Sequence, residues 1–176
     1  MPAPRVTSTR VVYQNHWMRL HEDRLERPDG SPGLYAWVEK SPGALIVPLD
    51  DGHLWLVEQW RHPVRGRYWD LPQGSWEHAP DAPAEELARG ELAEETGLRA
   101  ASMERLGTLF YAYGILDQRF DVWLATGLEP GPVDREPTEQ DLRCARFGAD
   151  ALETMIARGE LADAASVAAW HLVSRR

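Results

Sequence analysis

The sequence predicts an α/β protein of the α+β kind: a mixed sheet with helices on its faces, preceded by an antiparallel strand segment. Three observations carry that expectation. Ala44 to Leu49 and Leu54 to Val57 are apolar runs around the turn Asp50-Asp51-Gly52, as buried central strands require. Roughly Ala82 to Thr96 has a helical pattern that stops at Gly97. Two more helical patterns, Ala149 to Ala157 and Ala162 to Val173, close the chain.

The elements follow in order. Arg10 to Gln14 and Trp17 to Arg27 contain alternating or β-branched stretches and read as extended, and Pro28-Asp29-Gly30 marks a turn before Leu34 to Val38. After the two central strands, Tyr68 to Leu71 forms a short strand that runs into Pro72-Gln73-Gly74. For the helix that follows, Asp81 is the expected N-cap, Pro83 is tolerated in the first turn, and Gly97 supplies the left-handed residue at the end. Strands are expected at Leu106 to Tyr111, Phe120 to Ala125 and Leu142 to Phe147.

Composition narrows the class of function. The 176 residues suit one domain with a proper core, and 43% hydrophobic with 27% charged residues is ordinary for a globular chain. A formal net charge of -9 with scattered arginines argues against nucleic acid and against an anionic membrane as partners. Phosphate esters remain possible if a divalent cation lies between the two sets of negative charge. No run approaches the ~20 apolar residues of a membrane span. The opening MPAPRVTSTR lacks the apolar stretch of a signal peptide, and Cys144 has no second cysteine to pair with, so a cytoplasmic location is expected.

The helix carries the chemistry. At about 100° per residue from Glu85, Glu91 falls near about 240°, Glu94 near about 180° and Glu95 near about 280°. Leu87 and Ala88 share that sector, so the three carboxylates point where the apolar side chains point. A glutamate cluster is ordinarily a solvated face. Turned inward, like charges repel and each unpaired ion costs several kcal/mol to desolvate. No lysine or arginine of the local chain shares the face, which leaves a hard divalent cation as the simplest counter-charge: Mg²⁺, or Mn²⁺ in its place. Gly74, in the turn before the helix, lets main chain approach a ligand, and the Gln73 carbonyl is a further candidate ligand. His62, His78 and His171 have no ligand spacing for zinc.

These residues resemble the Nudix hydrolase family, whose signature is a Gly, five residues, a Glu, seven residues, then Arg-Glu-apolar-x-Glu-Glu-x-Gly-apolar. Glu91-Leu92-Ala93-Glu94-Glu95-Thr96-Gly97-Leu98 matches the second half position by position. Gln59 to Pro63 and Gly159-Glu160-Leu161-Ala162-Asp163-Ala164 are similar to the ADP-ribose pyrophosphatase branch. Three departures stand out. Gly90 occupies the place of the signature arginine, with Arg89 one residue early. Gly74 lies two residues further from Gly90 than the pattern allows. The upstream Glu position therefore holds Ala82, for which Glu77, Asp81, Glu85 or Glu86 are the available substitutes.

The resemblance implies an α/β/α sandwich, a strand segment over 1–42 that pairs with a second copy in a homodimer, and a hydrolase domain over 43–176 within one globular unit. It also implies attack of water on one phosphorus of a diphosphate, with Mg²⁺ held by Glu91, Glu94 and Glu95 and a small nucleotide, ADP-ribose first, as substrate. A loop glutamate before the last strand serves as general base in that branch, which points to Glu139 and then Glu136. Arg61, at the end of an apolar strand, is a candidate phosphate or ribose clamp, with a surface ion pair as the alternative. Trp17, Trp37 and Trp60 are candidates for stacking on the base. Tyr113-Gly114 stands where ADP-ribose enzymes tend to carry a proline, so dinucleoside polyphosphates or nucleoside triphosphates are the second reading. A nucleotide sensor that keeps the fold without hydrolysis is the third.

Overall fold

A computed structural model describes residues 2–77, 79, 81–132 and 141–175 of the chain. Its strands are β1 (Arg5–Gln14), β2 (Arg19–Glu26), β3 (Pro32–Glu39), β4 (Gly43–Asp50), β5 (His53–Arg61), β6 (Gly66–Asp70), β7 (Gln73–Gly74), β8 (Leu98–Phe110), β9 (Arg119–Pro130) and β10 (Arg143–Gly148). The helices are α1 (Ala84–Thr96), α2 (Ala151–Arg158) and α3 (Ala164–Ser174), with a 3₁₀ turn at His62–Val64.

The first three strands form an antiparallel sheet in the order β1-β2-β3. The others form a mixed sheet in the order β10-β5-β4-β9-β8, with β6 beside β5 and β7 beside β4. Its one parallel pairing among the described residues joins β4 to β9, from Gly43↔Phe120 to Pro48↔Ala125. β4 and β5 pair only at Leu49↔Leu54 and Asp50↔His53, next to a tight turn with φ 48 at Asp51 and φ 69 at Gly52. Beyond that turn the two strands part. β4 goes to β7 and β9, and β5 goes to β6 and β10.

β4 shows why the sheet is covered on both faces. Ala44 and Ile46 pack with Leu87, Ala88 and Leu92 of α1, while Leu45 and Val47 pack with Leu152 of α2 and Ala169 of α3. Side chains alternate along a strand, so a fully buried apolar run must be covered twice. The result is the expected sandwich of helix, sheet and helix.

Several boundaries differ from the sequence expectation, among them β1, which begins at Arg5, and β9, which runs to Pro130; two of the differences have a clear physical reason. α1 begins at Ala84 with Pro83 as its N-cap, at φ -55 and ψ 132, and Asp81 does not cap it. A residue preceding proline is pushed out of helical geometry, which excludes Ala82 from the first turn. Glu85 and Glu86 supply the negative charge that the first turn favours. β8 starts at Leu98, well before Leu106, because the segment pairs along nearly all of β9 from Leu98↔Pro130 onward. Its residues Arg99 to Arg105 have weak strand character of their own; the long hairpin makes them extended.

Candidate active site

The inward stripe of α1 consists of Leu87, Ala88, Glu91, Leu92 and Glu95, with Glu94 half-buried beside it. Glu91 is 5% exposed and Glu95 1%, so both carboxylates are taken out of bulk water. The two-residue strand β7 receives them. The Gln73 N–H donates to Glu95 Oε2 at 3.0 Å. The Glu91 carboxylate lies against Gly74, where an added Cβ would meet its Cδ and Oε1 at 2.6 Å. Glycine at 74 is thus required by close approach. β7 is fixed in turn by its pairing with β4, Ala44↔Gly74 and Leu45↔Gln73.

A chain of hydrogen bonds holds the Gln73 side chain. Tyr111 donates its hydroxyl to Gln73 Oε1 at 2.9 Å, and Gln73 Nε2 donates to Asp163 Oδ2 at 3.0 Å. Asp163 is the N-cap of α3, accepting from Ser166 N and Ser166 Oγ, both at 2.8 Å. Ser166 Oγ accepts in turn from Leu71 N at 2.9 Å. Burial pushes the Tyr111 phenol well above its ordinary pKa, and the charges of Asp163, Glu91 and Glu95 push it the same way against Arg61. The phenol therefore keeps its proton and remains a donor.

In front of this network lies a cavity of about 580 Å³ lined by Lys40, Arg61, Tyr68, Asp70, Gln73 and Asp163, among others. Arg61 donates from Nε and Nη2 to Asp70 Oδ2 at 2.9 and 2.6 Å. Asp70 is buried, which raises its pKa, and the Arg61 guanidinium opposes that rise. The guanidinium is thus anchored from behind on the cavity wall, where it can meet an anion. A second hollow of about 470 Å³ shares Lys40 with the first and is lined also by His16, Trp17 and Glu77.

The structure brings Glu91, Glu95, Gln73, Gly74 and Arg61 together, with Glu94 on the same helix. Trp17 is exposed in the second hollow. Trp37 stacks on His21 with centroids 4.3 Å apart and donates its indole N–H to Asp23 Oδ2 at 2.8 Å, so one face of its ring is already taken. Trp60 is exposed near the end of β5. Glu136 and Glu139 lie outside the described residues. Among the substitutes for the upstream glutamate, Glu85 is bound to Arg89, and Asp81 and Glu86 are exposed. Glu77 accepts from Ser75 Oγ at 2.9 Å and faces the second hollow.

Sequence reasoning missed Lys40, Asp70, Tyr111 and Ser166 as parts of the site, and saw Asp163 only within a resembling segment. Asp163 with Ser166 has the spacing of an N-cap, a signal that was available. Tyr111 had none, since only the fold sets it opposite Gln73.

Any divalent cation must be matched to the donors present. Glu91, Glu94, Glu95 and the Gln73 carbonyl offer only oxygen, the choice of a hard cation, and buried carboxylates beside an open cavity fit such an ion. Among the described residues no three His, Cys, Asp or Glu side chains are grouped so as to hold a metal ion as they stand.

Comparison with known proteins places these features. The nucleoside diphosphate sugar hydrolase N-terminal domain family matches residues 5–38. An ADP-ribose pyrophosphatase of Mycobacterium tuberculosis (strain ATCC 25618 / H37Rv) is 31% identical over 163 residues, 92% of this chain and 78% of that protein. An ADP-ribose pyrophosphatase of Bacillus subtilis (strain 168) is 28% identical over 132 residues, 74% and 70% of the two chains. A crystal structure of an ADP compounds hydrolase superposes with a TM-score of 0.87 over 99% of this chain and 94% of its own, at 20% identity, so the fold is shared. The NUDIX domain family matches residues 39–169, three quarters of the chain and all of the site, and the chain belongs to the Nudix family.

Proposed function

We propose that this chain is a Mg²⁺-dependent pyrophosphohydrolase that cleaves a nucleoside diphosphate linked to another moiety, ADP-ribose first. The observation that carries the reading is the burial of Glu91 and Glu95 against the Gln73-Gly74 backbone, at the wall of a cavity that also presents Arg61 and Lys40. Two 28–31% identical relatives that carry the name ADP-ribose pyrophosphatase support the choice of substrate.

The residues divide the work. Glu91, Glu94 and Glu95, with the Gln73 carbonyl, hold the cation. When bound, the cation neutralises phosphate charge and lowers the pKa of a water. Arg61, anchored by Asp70, and Lys40 meet the diphosphate oxygens. Tyr111 and Asp163 fix the Gln73 side chain and so the strand whose N–H steadies Glu95. The water oxygen bonds to one phosphorus while the bridging P–O bond breaks, giving AMP and ribose 5-phosphate. Glu139, or Glu136 after it, takes the proton of the attacking water. Trp17, which lines the second hollow with Lys40, is the first choice to stack on the base, ahead of Trp60 and Trp37. β1–β3 pairs with a second copy to make a homodimer, and the protein is cytoplasmic. Among the described residues no helix is long and apolar enough to cross a membrane.

A panel of ADP-ribose, dinucleoside polyphosphates and nucleoside triphosphates with Mg²⁺ or Mn²⁺ tests the reading. AMP and ribose 5-phosphate from ADP-ribose, at the highest kcat/KM of the panel, is the expected result. Preferred turnover of a dinucleoside polyphosphate moves the substrate but keeps the chemistry. No turnover of any member removes the hydrolase and leaves the sensor.

A further inference from the structure

Gly90 precedes Glu91 on α1, and an aromatic ring occupies the space where its side chain would be. A Cβ built there would stand 2.7 Å from Cη2 of Trp76, nearer still to Cζ2, and 3.2 Å from Cε2. The indole is itself packed against the cluster of Ala44, Leu87, Ala88 and Leu92, so a side chain at position 90 would displace it from that packing. Counted back from Glu91, the signature's arginine falls on Gly90 and its glycine on Trp76. The bulk has changed sides, from the helix to the loop. Arg89 does not make up the loss. Its guanidinium donates to Glu85 Oε1 at 2.9 Å and to the Ala100 carbonyl at 2.8 Å, on the flank of the helix facing β8.

We infer that Trp76 is a positioning residue for the cation site, its indole on Gly90 filling the place where the signature carries a helix arginine. β7 and the loop after it touch α1 at two consecutive helix residues, Gly74 against Glu91 and Trp76 against Gly90. Leu87, Ala88 and Leu92 on β4 and the Gln73–Glu95 hydrogen bond already seat the helix; these two contacts, on neighbouring residues, bear directly on the direction of the Glu91 side chain. Without the indole, the residue beside that carboxylate would be an unsupported glycine, the most flexible backbone a helix can carry. The inference rests on the metal reading above, and its test separates the two.

The measurement is Mn²⁺ affinity by electron paramagnetic resonance, with Tm alongside, on the full chain. Trp76→Ala is expected to raise the Mn²⁺ Kd at least about 10-fold, the usual effect of losing a group that orients a ligand. Gly90→Arg, with the indole still present, is expected to weaken binding comparably. The double variant Trp76→Gly/Gly90→Arg is expected to return to within about 3-fold of the wild-type Kd, since the two positions act as one contact. A Trp76→Ala protein with lower Tm but unchanged Kd makes the indole mere packing and overturns the inference, as does a double variant binding no better than Trp76→Ala. If Trp76→Ala does not fold, Trp76→Phe is measured instead, and an unchanged Kd there overturns it equally. A wild-type chain that binds no Mn²⁺ removes the metal reading itself.

Discussion

In β1–β3 the charges lie on the outside and pair across strands: Arg5 with Glu26, Arg10 with Glu22 and Arg19 with Glu39. Around α1 they lie on the inside, where Glu91 and Glu95 share a stripe with Leu87, Ala88 and Leu92. The first arrangement is weakly stabilising, because exposed ion pairs contribute little and every residue of β1 is exposed. A three-stranded sheet of this kind holds its shape through β2–β3 and through its tie to the loop after β8, where Val38 N donates to the Ile115 carbonyl and Asp117 N to that of Val38. The second arrangement takes like charges out of water, which costs more than an exposed ion pair returns. One region thus carries its charge on the surface, and the other buries it in the inward stripe of a helix.

The sharpest way to break this comparison is at Glu95. Glu95→Gln is expected to cut kcat at least ~100-fold in a chain that still melts cooperatively, because the proposed charged metal ligand is lost. Turnover near wild type would refute the ligand assignment.

Placing one charge in each region comes next. Val122→Glu, in the core at 0% exposure, is expected to prevent folding. Val11→Glu, on the exposed β1, is expected to leave Tm nearly unchanged and to shift sedimentation from dimer to monomer. A Val11→Glu chain that is as unstable as Val122→Glu would show that the two regions are not different in kind.

Arg61→Ala sharpens the account of the cavity wall. It leaves Asp70 buried without its guanidinium, at a cost of about 2 kcal/mol after allowance for the partly exposed arginine. It also removes the proposed phosphate contact, so KM for ADP-ribose is expected to rise about 10-fold. Denaturant melts and steady-state kinetics read the two effects separately, and a stability loss with unchanged KM would confine Arg61 to structure.

The smallest effect is at Tyr111. Loss of its hydroxyl in Tyr111→Phe is expected to cost about 1 kcal/mol near neutrality. The folded pKa is raised above the ordinary 10.0, so the unfolded chain ionises first and folding stability declines as pH climbs past that value. Tyr111→Phe lacks this decline, so the gap between the two proteins should narrow as pH rises above 10. A constant gap would mean that the phenol titrates normally.

The sequence was most legible where local pattern and tertiary demand agree. The apolar runs of β4 and β5, the stop at Gly97 with φ 73, and the inward face of Glu91 and Glu95 all follow from periodicity and turn chemistry. Legibility failed where a long-range partner decides. Arg99 to Arg105 is a strand only because β9 lies beside it. Tyr111 and Asp163 belong to the site only because β8 and α3 bring them to either end of the Gln73 amide. Gly90 looked like a defect in a motif, and the ring of Trp76 seated on it could not be read from either residue alone.

Anomalous diffraction from crystals soaked in Mn²⁺ tests the central claim most directly. The account expects a peak in contact with the carboxylates of Glu91, Glu94 and Glu95, beside the Gln73 carbonyl. Full density for those side chains with no peak among them, or a peak held by other residues, would contradict it.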